Sequence, residues 1–474
     1  MHTMYMRRTA VCAAVGLALS AGQAMATNGM NMEGYGPVAT AMGGASMAYD
    51  NGTAAMMNNP ATLGLMADGE NRLDLAVGNL RPDVASSVKG MPIPEASSSG
   101  NSYFMPAVGY AMRRGNFTWG AGVFAQGGMG TDYDADSFLA AGTGEKVRSE
   151  VSIGRAMVPF AFNVNPQFTV GGSLDFVWGG MDMRMAMDGA GFADFVAGLG
   201  GTQTLGTASG SLVDGFVGMA MGGMILSGPN AVRIDFSDDS KFSGSAKGNG
   251  FAGKIGLVYE INPQVSIGAT YHLKTHMSDM ESPDATLTMV GIDLGGGSMD
   301  IPVSGKMIIN DFQWPETMAL GMAYRPNEQW LFVADVKMLN WSGVMDDFTV
   351  TFQADDIPQN GGFAGAAMDM TLYQDWSDQT VVMLGAAYSP DKHWTIRGGA
   401  NLSSNPIPDE YMNPLFPAIV ENHFSAGVGY AFNKDQALDV SLTYAPEVEA
   451  TNPNTGVTTT HSQTNFQLMY SHRF

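Results

Sequence analysis

The chain ends T-N-F-Q-L-M-Y-S-H-R-F, Thr464 to Phe474. Phe466, Leu468, Tyr470 and Phe474 fall on one face of an extended strand, with only His472 breaking the series. Asn465, Gln467, Ser471 and Arg473 fall on the other face. Successive strand side chains point to opposite sides, so this segment separates apolar from polar surface. On a soluble protein an aromatic strand at a terminus is an aggregation hazard. Bacterial outer-membrane barrels end on such a strand, and the strand ending at Phe474 is the expected contact with the barrel-assembly machinery.

The other end supplies the compartment. Arg7 and Arg8 are followed by the apolar stretch Ala10 to Ser20 and by Ala24-Met25-Ala26, a small-x-small cleavage site. This is the pattern of a secretory signal peptide over residues 1–26, too short in its apolar part to span a bilayer. The mature chain is expected to begin at Thr27. The only cysteine, Cys12, lies in the removed part, so disulfides, thiol nucleophiles and Cys-based metal sites are excluded.

Losing Arg7 and Arg8 takes the net charge from −22 to −24. Such acidity argues against nucleic-acid partners. A disordered acidic chain is poor in apolar residues, whereas this one is 45% apolar, so it folds. Charged residues are only 14%, against ~25% in soluble domains. No long apolar run follows the signal. A secreted, apolar chain without spanning helices points to the closed β-barrel, which satisfies its backbone in lipid.

About fourteen segments alternate apolar and polar positions, each near the length of a tilted barrel strand. Clear examples are Phe168–Trp178, Val265–Leu273, Met318–Tyr324, Phe424–Phe432 and Leu438–Tyr444. Tight connections are expected at Arg113–Gly115, Asn165–Pro166, Asn262–Gln264, Pro326–Glu328, Pro390–Asp391 and Asn433–Asp435. Long polar or Gly-rich stretches lie between them, the longest at 182–247, and another at 403–421. Short turns on one side and long loops on the other fit an all-β, ~14-stranded antiparallel transmembrane barrel over 71–474, with both termini periplasmic and an error of two in strand number.

Residues 27–70 lie outside the alternation. They are rich in Gly, Met, Ala and Asn and nearly uncharged, and their Gly pairs and Asn-Pro step imply compact turns. The segment is expected inside the barrel, as a plug.

Gly34-Tyr35-Gly36, Met42-Gly43-Gly44-Ala45 and Asn58-Asn59-Pro60-Ala61 precede the first strand. Further on stand Trp314-Pro315-Glu316-Thr317, Asp375-Trp376, Arg397-Gly398-Gly399 and Asn405-Pro406-Ile407-Pro408. This ordered set, over essentially the whole mature chain, resembles the FadL family of outer-membrane transporters and its TodX-like branch. The resemblance implies a 14-stranded barrel in the outer membrane of a Gram-negative bacterium. It also implies an N-terminal hatch marked by Asn58, Asn59 and Pro60, and passive uptake of long-chain fatty acids or aromatic hydrocarbons. A further implication is a lateral gap in the wall, at a kink in the third strand. Gly120 and Gly122, within the expected strand Asn116–Gln126, are the kink candidates; alternatively they only make room for the hatch.

The residues themselves suit hydrophobic cargo. Inward faces carry few charges, among them Asp175, Lys254, His272, Asp335 and Lys337, and the chain holds 37 Met, a flexible and polarizable residue. Within 182–247, Phe192, Phe195, Val196 and Leu199 show helical spacing, as do Leu212, Val213, Phe216 and Met219. Phe192, Phe195, Val196, Leu199, Phe216 and Met219 are read as walls of an entry groove, with packing onto the barrel rim as the alternative. Arg184 and Arg397 are candidates for a fatty-acid carboxylate, with pairing to a lumen Asp as the alternative.

Other motifs dissolve. Asp132, Asp134 and Asp136 begin like a calcium loop, but Ser137 and Thr143 stand where Gly and Glu are needed. The histidines show no metal spacing and no nucleophile motif appears, so no metal, cofactor or catalytic residue is expected. A porin for small hydrophilic solutes is the main alternative function; an outer-membrane enzyme is a lesser one. Outer-membrane lipid and lipopolysaccharide are the expected surroundings, and the chain is expected to be a monomer.

Overall fold

The computed structural model describes residues 28–239 and 244–474; the signal-peptide residues and Thr27 lie outside them. The long strands are β1 (Asn71–Leu80), β2 (Tyr103–Arg114), β3 (Phe117–Tyr133), β4 (Val147–Asn165), β5 (Phe168–Asp188), β6 (Ala246–Asn262) and β7 (Val265–His272). They continue with β8 (Thr317–Tyr324), β9 (Trp330–Leu339), β10 (Gln379–Tyr388), β11 (Trp394–Ser403), β12 (His423–Ala431), β13 (Gln436–Thr451) and β14 (Val457–Arg473). Each pairs antiparallel with its neighbour in sequence, and β14 pairs with β1, so a ring of fourteen closes on itself. The long hairpin Met280–Asp293 and Ser298–Asn310 extends the wall outward, and with its two strands the barrel has sixteen.

Asx chemistry sets most of the short turns. The side-chain oxygens of Asn165, Asn262, Asn327, Asp391 and Asn433 each accept two backbone N–H bonds, from residues two and three ahead. These bonds pre-shape the chain reversal in water, outside the strand ladder. The closing seam is tied where the ends meet, with Asn71 and Phe474 exchanging both backbone hydrogen bonds at 3.0 Å.

The terminal strand faces as its alternation demands. Phe466, Leu468 and Phe474 are exposed on the outside, while Asn465, Gln467 and Ser471 are buried on the inside. The same inversion runs round the ring: Leu174, Phe251 and Leu320 are 73%, 68% and 62% exposed. An apolar exterior of this kind is stable only against lipid.

Residues 28–66 occupy the interior. The chain makes a short helix at Pro37–Thr40 and 3₁₀ turns at Gly52–Met56 and Pro60–Leu65. Met42, Met56, Met57 and Leu63 are fully buried. Glycine on inward strand faces permits the approach: a Cβ at Gly171 would lie 2.6 Å from the Ala61 nitrogen, and one at Gly385 2.5 Å from the Met42 oxygen. The wall also satisfies the polar backbone of this segment. Asp335 accepts from the amides of Ser46 and Met47 at 2.5 and 3.0 Å, and Asp74 from Thr53 at 2.7 Å. A buried amide without such a partner would destabilise by ~1–3 kcal/mol.

Candidate functional site

The ladder between β2 and β3 stops before both strands end. Pairing runs from Arg114↔Phe117 to Val108↔Val123, and beyond that point Tyr103–Ala107 and Phe124–Tyr133 have no register with each other. On its other edge β3 carries a bulge between Ala125 and Gly127, so Gln126 is the extra residue. A bulge bends its strand and breaks pairing. Asn31 of the interior segment bridges Gly127, and the Tyr35 hydroxyl donates to the Gln126 carbonyl at 2.6 Å.

An apolar recess of about 280 Å³ lies at this break. Tyr103, Phe104 and Met105 border it from β2, and Val123, Phe124 and Ala125 from β3. Phe104 and Val123 are also exposed on the outer surface, 55% and 43%, so the recess reaches the lipid-facing side. Its inner wall includes Met30 and Met32, and Pro417 and Ala418 also line it.

Pro417 and Ala418 belong to the stretch expected to be a polar loop, and here the expectation is corrected. Leu415, Ala418, Ile419 and Val420 are buried. Wall side chains bond the loop carbonyls: Tyr133 to Pro414 at 2.9 Å, His461 Nδ1 to Pro417 at 2.8 Å and Asn452 to Met412 at 3.0 Å. The apolar run Leu415–Val420 seeks burial, and Pro417 within it and Pro414 just before it remove backbone donors that would need partners inside.

Gly120 and Gly122 do not lie at the break. They pair with Ala111 and Gly109 inside the intact β2–β3 ladder. A Cβ on Gly122 would lie 2.8 Å from the Met56 sulfur, so these glycines accommodate the interior segment. The bend sits at Gln126, at the far edge of the stretch expected to be the strand, because β3 runs on to Tyr133.

The two helices expected in the 182–247 loop form, at Gly189–Phe195 and Ser211–Met221. The expected open groove does not. Phe192, Phe195, Val196 and Phe216 are buried, and Leu199 and Met219 half-buried. Phe192 and Phe216 meet edge to face at 5.9 Å, so these residues hold helix to helix. The exposed apolar residues here are Met221, Met224 and Leu226; Leu294 and Met299 of the Met280–Asn310 hairpin are exposed as well. Leu226 is tied to that hairpin through the Asp293 carbonyl at 2.8 Å. They lie past the helical spacing, which is why periodicity missed them.

Arg184 donates to Asp235 at 2.9 Å and to Asp239 at 3.2 Å, and Arg397 donates to Asp439 at 2.7 Å. Both cations are thus paired with carboxylates. Asp175 and Lys254 face inward as expected, and Arg155, which the alternation did not single out, joins them: Asp175 lies 2.8 Å from Arg155 and 2.5 Å from Lys254. Asn58, Asn59 and Pro60 lie in the interior segment. Asn59 caps the turn that Pro60 begins, accepting from Ala61 at 3.1 Å, and donates to the Leu257 carbonyl of the wall at 3.1 Å. The Asn58 carbonyl meets His272 Nε2 at 2.9 Å. Asp132 and Asp134 sit 3.6 and 3.5 Å from Lys146.

Residues 11–472 match the family model described as outer membrane protein transport protein (OMPP1/FadL/TodX). The Pseudomonas putida toluene transporter TodX superposes with a TM-score of 0.79 at 28% identity, covering 93% of this chain and 99% of that one. The Ralstonia pickettii toluene transporter TbuX gives 0.73 at 32% identity with the same coverage. An Escherichia coli long-chain fatty acid transport protein is 26% identical over 203 residues, 41% of this chain. The curated relatives are matched over less than half their length, 45% and 42%. The chain belongs to the OMPP1/FadL/TodX family of outer-membrane transport proteins.

Proposed function

We propose that this protein carries hydrophobic molecules passively across the outer membrane and releases them sideways through the break between β2 and β3. One observation carries the reading: an apolar recess connects lipid-facing Phe104 and Val123 with Met30 and Met32 of the interior segment. The lateral route has a physical rationale, since each CH₂ returned to water costs ~0.8 kcal/mol. Residues 28–66 act as the hatch, and their burial across the lumen speaks against a porin for hydrophilic solutes. Capture begins at the exposed patch of Met221, Met224 and Leu226 rather than at the buried phenylalanines.

Uncharged ligands are favoured over fatty acids. Arg184 and Arg397 already hold carboxylates, and the ionisable groups lining the recess are Glu33, Tyr103, Glu150 and His461, with no lysine or arginine. TodX and TbuX are toluene transporters by description, which accords with this preference. The task is transport without chemistry, by a single chain with the 182–247 loop outside and its short turns in the periplasm. The strand ending at Phe474 serves the assembly machinery, and the outer belt sits in lipid and lipopolysaccharide.

Ala125→Trp, which fills the recess mouth, tests the route. Toluene uptake by cells should fall at least tenfold while the heat-modifiable barrel still assembles. Uptake at the wild-type rate by the assembled variant contradicts the lateral route.

A further inference from the structure

The lipid-facing belt is uneven beside the break. Strand register sets Val108, Val123, Ala156, Phe176 and Phe251 in one row across β2 to β6. Val123, Phe176 and Phe251 are exposed on the outside, so Ala156 faces lipid among them. In the neighbouring row Ala121 pairs with Tyr110, and Val158 with the exposed Leu174. Two alanines thus stand among large side chains, and the wall there holds a groove of about 730 Å³. Phe176 and Phe251 border it and meet edge to face at 5.8 Å. It crosses five strands, about 19 Å at the usual spacing. Val123 lines both this groove and the recess, so the groove begins where the recess opens.

We propose that this groove binds one acyl chain of a membrane lipid, which lies across the recess mouth and is displaced by departing cargo. The inference rests on the lateral route proposed above and names what meets the cargo there. The occupant follows from the lining. The one charged residue at the groove, Asp175, turns its carboxylate inward to Arg155 and Lys254. The Tyr110 hydroxyl already donates to Asn71 Oδ1 at 3.4 Å. Nothing else in the lining can bond a head group, and the belt around it is covered by hydrocarbon chains. Lipid tails are as apolar as the groove, so packing rather than the hydrophobic effect holds the chain. An empty groove forfeits those contacts, and a smooth stretch of belt cannot offer them.

The test uses the full chain in proteoliposomes of phosphatidylethanolamine carrying a diazirine midway along one acyl chain. Labelling at Ala121, Ala156, Leu174, Phe176 and Phe251 is compared with Leu320 and Phe332, exposed on the belt at β8 and β9. The groove should label about threefold more than this reference, a modest preference because only packing differs. Toluene should bring the ratio toward one, and so should Ala156→Trp, which fills the groove; Ala121→Phe serves if that variant fails to assemble. Equal labelling of groove and reference in wild type overturns the inference, as does a ratio unaltered by the filling variant. A ratio unaltered by toluene overturns it too. If Ala125→Trp then still lowers toluene uptake, the lateral route stands without the lipid; if that variant takes up toluene at the wild-type rate, the route falls as well.

Discussion

The Tyr35 hydroxyl donates to the carbonyl of Gln126, the residue bulged out of the β3–β4 register, at 2.6 Å. The break in the wall and the segment inside the barrel are therefore one structural unit: the strand gives up a ladder partner and the interior segment replaces it.

Tyr35→Phe removes that replacement and leaves the Gln126 carbonyl buried without its donor. The expected loss is roughly 1–3 kcal/mol of local stability. Hydrogen exchange at residues 28–35 and 124–130 should rise by one to two orders of magnitude while exchange at β8–β12 stays unchanged. Uniform change across the barrel would show that the bond does not couple the two elements.

Deleting residues 28–60 should leave a folded barrel, because every ring pairing is strand to strand. It should also raise single-channel conductance several-fold, since Met42, Met56 and Met57 no longer fill the lumen. Wild-type conductance with the segment gone would rule out its role as a hatch.

Glu421 gives the inserted loop a pH dependence. Its carboxyl is buried, 1% exposed, and burial pushes it up from 4.5 to about 8. The folded state thus binds the proton more tightly than the open loop does. Stability of the insertion is complete below about pH 4.5, falls as pH rises toward about 8, and is level above that. Exchange of residues 412–421 should accelerate across this window in wild type and lose that trend in Glu421→Gln. A flat profile in wild type would remove Glu421 as its cause.

The loop helices and the exposed patch give opposite expectations. Phe216→Ala opens a cavity in the packing of the 182–247 loop at a cost of about 3–5 kcal/mol. Proteases added to intact cells should then cut that loop readily. Leu226→Asp, on the surface, should leave the loop resistant and slow uptake several-fold at low ligand concentration. Protease resistance of the Phe216 variant would mean its ring is not part of that packing.

What the sequence made legible was local. Alternation at Phe466 to Phe474 and Asx turns at Asn165 or Asn262 depend on neighbours a few residues apart, and they predict the barrel, its outward apolar face and its turns. The helical spacing of Phe192 to Leu199 is realised only in part: the α-helix ends at Phe195, Val196 is extended, and a separate 3₁₀ turn carries Ala197–Leu199. Exposure of those rings was not legible, because it depends on the 211–221 helix packing over them. The burial of the loop run Leu415–Val420 is illegible for the same reason: only the closed ring shows an interior for it to enter. Gly120 and Gly122 have the composition of a kink, yet the bend falls at Gln126, where Asn31 and Tyr35 supply partners from nearly a hundred residues away.

The lateral route itself is tested most directly by photo-labelling. A diazirine-bearing monoaromatic probe, loaded on the protein in proteoliposomes and irradiated, should attach to Phe104, Met105, Val123 or Phe124 and to Met30 or Met32. Label found instead along the lumen axis at the short-turn end, with none between β2 and β3, would contradict the account.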